Sequence, residues 1–227
     1  MRASVNKHQQ QSDQTCESIL EAALELYLTN GIERTNITDI ARAIGTHRAT
    51  VYRYFRSHEE IGFALAERLV APIVEAYYAE LEPYLHTGTG WDKLCAAVLC
   101  TNRLARAHRK EFRFFAIFDA YLALLPNQPE IGRKLIRVFG TDEFLALQRR
   151  LILEGHEDGS IRTDLDTDSV SLAIRTVFVG TWARIDLRYE VFRSQHSLEQ
   201  PEIIADTACR LMLDGLRALP AARPTES

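Results

Sequence analysis

Four residues in one short stretch, Arg48, Ala49, Tyr52 and Arg53, project from one side of a predicted helix, and their chemistry suits the edges of base pairs. An arginine makes paired hydrogen bonds to guanine in the major groove, and a residue as small as Ala49 permits close approach. Arg48 is the first choice for base readout, while Val51 and Phe55 share the opposite face and pack inward. Charge gathers at the same place. Residues 34–58 hold five arginines against one aspartate, a local +4 in a chain of net charge −4, so the remainder carries −8. A basic end on an acidic body is the footprint of a protein that meets phosphate with one face only.

Bond-making chemistry has no comparable support. His156, Glu157, Asp158, Asp164, Asp166 and Asp168 form an acidic segment, but a calcium loop counted from Asp164 puts Ser169 where glycine is required and Arg175 where the last glutamate belongs. H-E-x-x-H, G-x-S-x-G and phosphate-loop glycine motifs are missing from the sequence. No catalytic residue, metal ligand or cofactor is assigned, and Asp164 to Asp168 reads as the loop and cap that open the next helix.

The elements that must position the arginines are short helices. Ile37, Ile40, Ala41 and Ile44 recur at i, i+3, i+4 and i+7, one face of a helix. Asn36 caps its start, and Asp39 complements the positive end of the helix dipole. Gly45 supplies a residue that accepts positive φ, and Thr46 or His47 restarts the chain as a second helix through about Tyr54.

The ordered set Ile19-Leu20-Glu21-Ala22-Ala23, Leu26-Tyr27, Gly31, Thr35-Asn36-Ile37, Asp39-Ile40-Ala41, Gly45, Thr50-Val51-Tyr52, Tyr54-Phe55 and Ser57-His58-Glu59-Glu60 resembles the head of TetR-type transcriptional regulators over about 45 residues. The resemblance implies a three-helix DNA-binding head, with residues 16–30 as its first helix and a long connecting helix starting near Ser57. It implies base or sugar contacts from Thr38, Arg48, Ala49, Thr50 and Tyr52, and phosphate contacts from Tyr54 and His58. Asn36, Thr46, His47 and Arg53 complete the expected DNA-binding set. Four departures stand out: His47 replaces a common serine cap, Thr46 a packing valine, His58 a phosphate-touching lysine, and no basic residue precedes Ile19 in the set. Phosphate affinity is expected to be lower or pH-sensitive, because histidine is mostly neutral at pH 7.

At 227 residues the chain is long enough for one large or two modest cores, and its ordinary apolar and charged fractions exclude wholesale disorder. Residues 1–14 are polar and read as a flexible arm, 15–60 as the helix-turn-helix domain, and 61–227 as a helical ligand-binding and dimerisation domain. No stretch approaches the ~18 uninterrupted apolar residues of a membrane span, and a cytoplasmic protein is expected. Cys16, Cys95, Cys100 and Cys209 make no C-x-x-C pair and read as packing residues.

Beyond the head, apolar periodicity and breaks at 86–90, 126–129 and 155–166 predict helices near 59–85, 91–108, 110–125, 129–154, 167–190 and 201–219, an all-α fold with a possible bend at Pro72. The helix over 167–190 is apolar on two sides. Val170, Ala173, Ile174, Val177, Phe178 and Ile185 make one stripe, and Leu172, Val179 and Trp182 a second. With the last helix it is expected to form a homodimer surface carried by Val179, Trp182, Leu211, Met212 and Gly215. Two twofold-related heads then meet a palindromic operator with recognition helices about 34 Å apart. Trp91, His108, Phe112, Phe115, Phe118, Tyr121, Phe144, Arg175 and Phe178 are the candidates to hold an apolar or aromatic small-molecule effector, although each ring taken singly is more often core. The function expected is that of a ligand-responsive regulator, a repressor released by its effector. The alternative is a helical small-molecule or partner-binding protein without DNA readout.

Overall fold

The computed structural model describes residues 2–195 and 200–218, with side chains over 10–140, 142–194 and 200–218. The described residues form eleven α-helices and no strand, only an isolated antiparallel bridge between Ile161 and Arg217. In chain order these are α1 (Arg2–Asn30), α2 (Ile37–Ala43), α3 (Arg48–Tyr54), α4 (His58–Leu81), α5 (Gly90–Ala107), α6 (Arg109–Leu122), α7 (Gln128–Phe139), α8 (Thr141–Glu157), α9 (Thr167–Leu187), α10 (Tyr189–Gln195) and α11 (Ile203–Leu216).

Several boundaries differ from the sequence expectation, each for a local reason. Helix α1 begins at Arg2, so the stretch expected as a flexible arm continues the first helix. No glycine or proline lies in residues 2–14 to stop it. Pro72 sits exposed inside an unbroken α4. The helix expected over 129–154 is two helices, because Gly140 adopts φ 54, the left-handed region, and starts α8 in a new direction. The helix over 167–190 ends at Leu187, and Arg188 separates it from α10. The last helix ends at Leu216; position 219, its expected end, lies outside the described residues.

The chain divides into two compact units, 1–72 with 110–139, and 73–109 with 140–227. The expected boundary near residue 60 is therefore displaced, and α6 and α7 join the head. Phe118 on α6 explains part of this: its ring lies 5.1 Å from Phe63 and 5.6 Å from Phe114, and a Cβ on Gly62 would come within 2.2 Å of it. The first unit's core holds Ile19, Ala23, Tyr27, Ile40, Val51, Ile61, Leu65 and Phe118.

The second unit is built on α5, α8, α9 and α11. Thr89 and Asp92 form a reciprocal capping box that opens α5, and Asp166 caps α9 by accepting from the Ser169 amide at 2.8 Å. Helices α5 and α8 touch backbone to backbone, since a Cβ at Gly90 would meet the Gly155 nitrogen at 2.0 Å. Trp182, fully buried, donates to Asn102 at 2.8 Å, and Asn102 donates to Asp206 at 2.6 Å. That network ties α9, α5 and α11 together.

Candidate nucleic-acid interface

The candidate DNA-reading surface is assembled by caps. Asn36 accepts from the Asp39 amide at 2.9 Å while Asp39 accepts from the Asn36 amide at 3.2 Å, a full capping box at the start of α2. Ile37, Ile40 and Ala41 bury the inner face of that helix. Gly45 takes φ 67, and the Thr46 amide then bonds to the Ala41 carbonyl at 2.9 Å, turning the chain into α3. Within α3 only Val51 is buried, and Phe55 packs just beyond its end. Ser57 accepts from the Glu60 amide at 3.1 Å to cap α4.

The remaining residues of α3 are offered outward. Arg48, Ala49, Tyr52 and Arg53 are exposed, with Tyr52 at 52%. Thr38 and His47 are exposed, while Thr46, Thr50 and Tyr54 are half-buried. His47 occupies the cap position of α3 and makes no side-chain cap bond. Asn36, expected among the DNA contacts, has its side chain committed to the capping box, so it orients the helix that precedes α3. Arg42 pairs with Asp39 at 3.1 Å, and the Arg53 guanidinium lies 5.3 Å from the Tyr54 ring centre. Hydrogen bonding from Ser12 on α1, and then from Arg53 and Thr15, lowers the Tyr54 pKa.

His58 departs from the phosphate-contact role that the resemblance implies. Its Nδ1 lies 2.8 Å from the Tyr27 hydroxyl, deep in the head, with the two rings edge-on at 5.8 Å. Burial lowers its pKa below 6.5, so at neutral pH it brings no positive charge to a phosphate. The reason is tertiary. Tyr27 and His58 are 31 residues apart, and nothing in their local sequence announces the pair. Tyr27, Ser12 and Thr15 are thus supporting residues that sequence reading missed.

The candidate effector residues do not form one set. Phe112, Phe115, Phe118 and Tyr121 belong to the first unit, and Trp91, His108, Phe144, Arg175 and Phe178 to the second. Phe118 is a sealed core ring. Trp91 donates to the Leu213 carbonyl at 3.4 Å and lies under Arg217 at 4.7 Å, so it joins α5 to α11. His108 caps the end of α5. Phe144 packs against Tyr77 of α4 at 5.4 Å. Arg175 and Phe178 are half-buried on α9.

The expected dimer surface needs one correction. Val179, Leu211 and Gly215 are exposed and Met212 is half-buried, whereas Trp182 is only 1% exposed. Ala173 and Val177, assigned to an inward stripe, are exposed. The buried face of α9 instead runs through Val170, Ser171, Ile174, Trp182, Ile185 and Asp186. A helix apolar on two sides does not reveal from periodicity which side turns inward. The indole's bond to Asn102 decides it here.

All four cysteines are free; burial raises the thiols of Cys95 and Cys100 to about 12 and that of Cys209 to about 11, so they remain protonated at neutral pH. No cluster of metal-ligating side chains occurs among the described residues, and none of their helices is long and apolar enough to cross a membrane.

Residues 19–65 match the family described as bacterial regulatory proteins, tetR family. The fatty acid metabolism regulator protein of Bacillus subtilis is 23% identical over 79% of this chain and 89% of its own length. The HTH-type transcriptional regulator TcmR of Streptomyces glaucescens is 37% identical over 68 residues, 30% of this chain and 28% of its own. Among solved structures, the transcriptional regulator FadR from Bacillus subtilis in complex with stearoyl-CoA superposes with TM-score 0.64 at 18% identity, covering 88% of this chain and 98% of that one. The ketosteroid transcriptional regulator KstR2 of Mycobacterium tuberculosis gives TM-score 0.61 at 18% identity, covering 90% and 96%.

Proposed function

This chain belongs to the TetR family of DNA-binding transcriptional regulators and is not an enzyme; on that premise we propose that it is a homodimeric repressor that leaves a palindromic operator when a small apolar or aromatic molecule binds. The observation that carries this reading is α3 itself. Its one buried residue, Val51, seats it in the head, and Arg48, Ala49, Tyr52 and Arg53 stand free on the other side. An α-helix presented in this way fits the major groove, with Arg48 bidentate to guanine and Ala49 allowing close approach. Thr38, Thr46, His47 and Thr50 flank it, with Arg53 and Tyr54 toward the phosphates.

Exposed apolar residues on α9 and α11 support the dimer. Leu172, Val179 and Leu187 on one helix and Leu211 on the other are between 40% and 70% exposed, and Gly180 and Gly215 have no atom within 4 Å of a built Cβ. A second copy related by a twofold axis covers such a strip and sets two recognition helices one DNA turn apart. Relatives whose names refer to fatty acid metabolism and to ketosteroids favour an apolar effector. An effector that prefers a state with mismatched head spacing lowers DNA affinity by linkage. Such a protein acts where DNA is, in the cytoplasm.

The test is selection of bound fragments from a random DNA pool by wild type and by Arg48→Ala at fixed salt. The expected result is a palindromic site enriched by wild type and lost or relaxed in the variant. A folded dimer that enriches nothing points to the alternative, a helical binding protein without DNA readout.

A further inference from the structure

Buried polar atoms are nearly always paired, because an unpaired one forfeits its bonds to water and gains nothing in return. The second unit obeys this rule at Asn102, whose amide accepts from Trp182 and donates to Asp206. Three other side chains break it. Tyr77 on α4, Gln148 on α8 and Ser171 on α9 are 5%, 1% and 4% exposed, and the Tyr77 hydroxyl, Gln148 Oε1 and Ser171 Oγ have no hydrogen-bond partner in the protein.

Packing draws these three together. The Phe144 ring, one turn before Gln148 on α8, lies 5.4 Å from the Tyr77 ring. Helix α8 packs on α9, where Arg149, beside Gln148, pairs with Asp168, one turn before Ser171, at 2.9 Å. Neighbouring groups are already spent: the Thr101 hydroxyl donates to the Ala97 carbonyl at 2.9 Å, and the Cys100 thiol donates to the Tyr77 carbonyl at 3.8 Å.

We infer that Tyr77, Gln148 and Ser171 form the polar end of an effector site in the second unit, and that the effector carries an uncharged hydroxyl on an apolar or aromatic skeleton. The inference rests on the effector-binding reading above and adds the chemistry of the ligand. An amide offers one end that donates and one that accepts, and the two hydroxyls serve either way. A ligand hydroxyl does both, so it satisfies Gln148 whichever end it meets and still pairs with Tyr77 or Ser171. A carboxylate only accepts. It leaves Gln148 Oε1 without a donor and brings a charge among three neutral groups. The cation it would need is the half-buried Arg175, one turn beyond Ser171 on α9. Phe144 and Phe178 supply apolar surface alongside.

The test uses the full-length protein and two matched sets of probes: 1-dodecanol, dodecanoic acid and dodecyl methyl ether, and 2-naphthol, 2-naphthoic acid and 2-methoxynaphthalene. Binding is read by melting temperature and by the fluorescence of the buried Trp182. In at least one set, the hydroxyl compound is expected to bind about tenfold or more tighter than its acid and ether partners. Gln148→Met keeps the volume and removes the unpaired amide. Its ligand-free form should melt at or above wild type, while the hydroxyl compound loses its advantage over the ether.

Three results overturn the inference: a ligand-free Gln148→Met protein that melts clearly lower, acid binding that is tightest and abolished by Arg175→Ala, or no binding of either hydroxyl probe. Release of the selected operator is measured in parallel. An acid that binds and releases DNA sinks the hydroxyl assignment and leaves the repressor intact. A hydroxyl probe that binds through Gln148 without disturbing the DNA complex does the reverse.

Discussion

Helices α3 and α9 spend their surfaces in opposite ways. Helix α3 has seven residues and buries one, Val51, so its place in the head depends on neighbours and on caps. Helix α9 has twenty-one residues, a buried face with Val170, Ile174, Trp182 and Ile185, and a second apolar strip with Leu172, Val179 and Leu187 left exposed. Exposed arginine and tyrosine need no covering in water, and become useful only when the backbone beneath them is held rigid. Exposed leucine and valine forfeit roughly 25 cal/mol for each Å² left in water, and so point to a covering partner. The comparison teaches that the same degree of exposure means readout on one helix and assembly on the other, according to side-chain type.

The contrast breaks first at its anchor. Trp182→Ala is expected to destabilise the protein by about 3–5 kcal/mol, through a large cavity and an Asn102 left without its donor, measured by urea unfolding. Val179→Ala, three residues away on the exposed side, should leave unfolding nearly unchanged for the separated protomer. A similar loss from both would mean that Val179 is core. Next, Leu211→Glu places a charge in the proposed dimer strip. It should yield monomers in sedimentation and weaken operator binding on the order of a hundredfold through lost bivalency; an unshifted dimer would put the interface elsewhere.

On the other side of the comparison, Arg48→Ala is expected to cost about 1–3 kcal/mol of operator affinity, in DNA titration, with unchanged helicity and melting. A fall in melting temperature would show that Arg48 supports the head as well as facing outward. The smallest effect concerns His58. Its folded pKa lies below 6.5 because it is buried, so above pH ~6.5 both folded and unfolded chains hold it neutral and its contribution is fully present. As pH falls, the unfolded chain takes the proton first, and the stability is lost as pH descends through the folded value. Melting temperature should drop modestly between pH 7 and pH 5.5 in wild type and less in His58→Gln.

Much of the head was legible because its signals are local. Asn36 and Asp39 lie three apart as a capping box requires, Gly45 stands where only a residue tolerant of positive φ ends the helix cheaply, and Ile37, Ile40 and Ala41 follow one helical face. Each can be read within a window of ten residues. His58 was misread because its partner, Tyr27, is on another helix, and Trp182 because α9 is apolar on two sides. The effector candidates were gathered by aromatic density alone, which does not distinguish Phe118, sealed in the first unit, from Phe144 in the second.

The amino-acid sequence by itself determined an all-α chain, the capped turn before α3, the basic character of that end and the lack of known catalytic motifs, since helix periodicity, caps, turns and charge are properties of neighbouring residues. Only the tertiary structure decided that α6 and α7 join the head, that Trp182 turns inward to Asn102, that His58 is held by Tyr27, and that Tyr77, Gln148 and Ser171 are buried without partners. Those depend on which helix faces meet, and the free energy of burial is fixed by residues far apart in the chain, whose pairing no local pattern records.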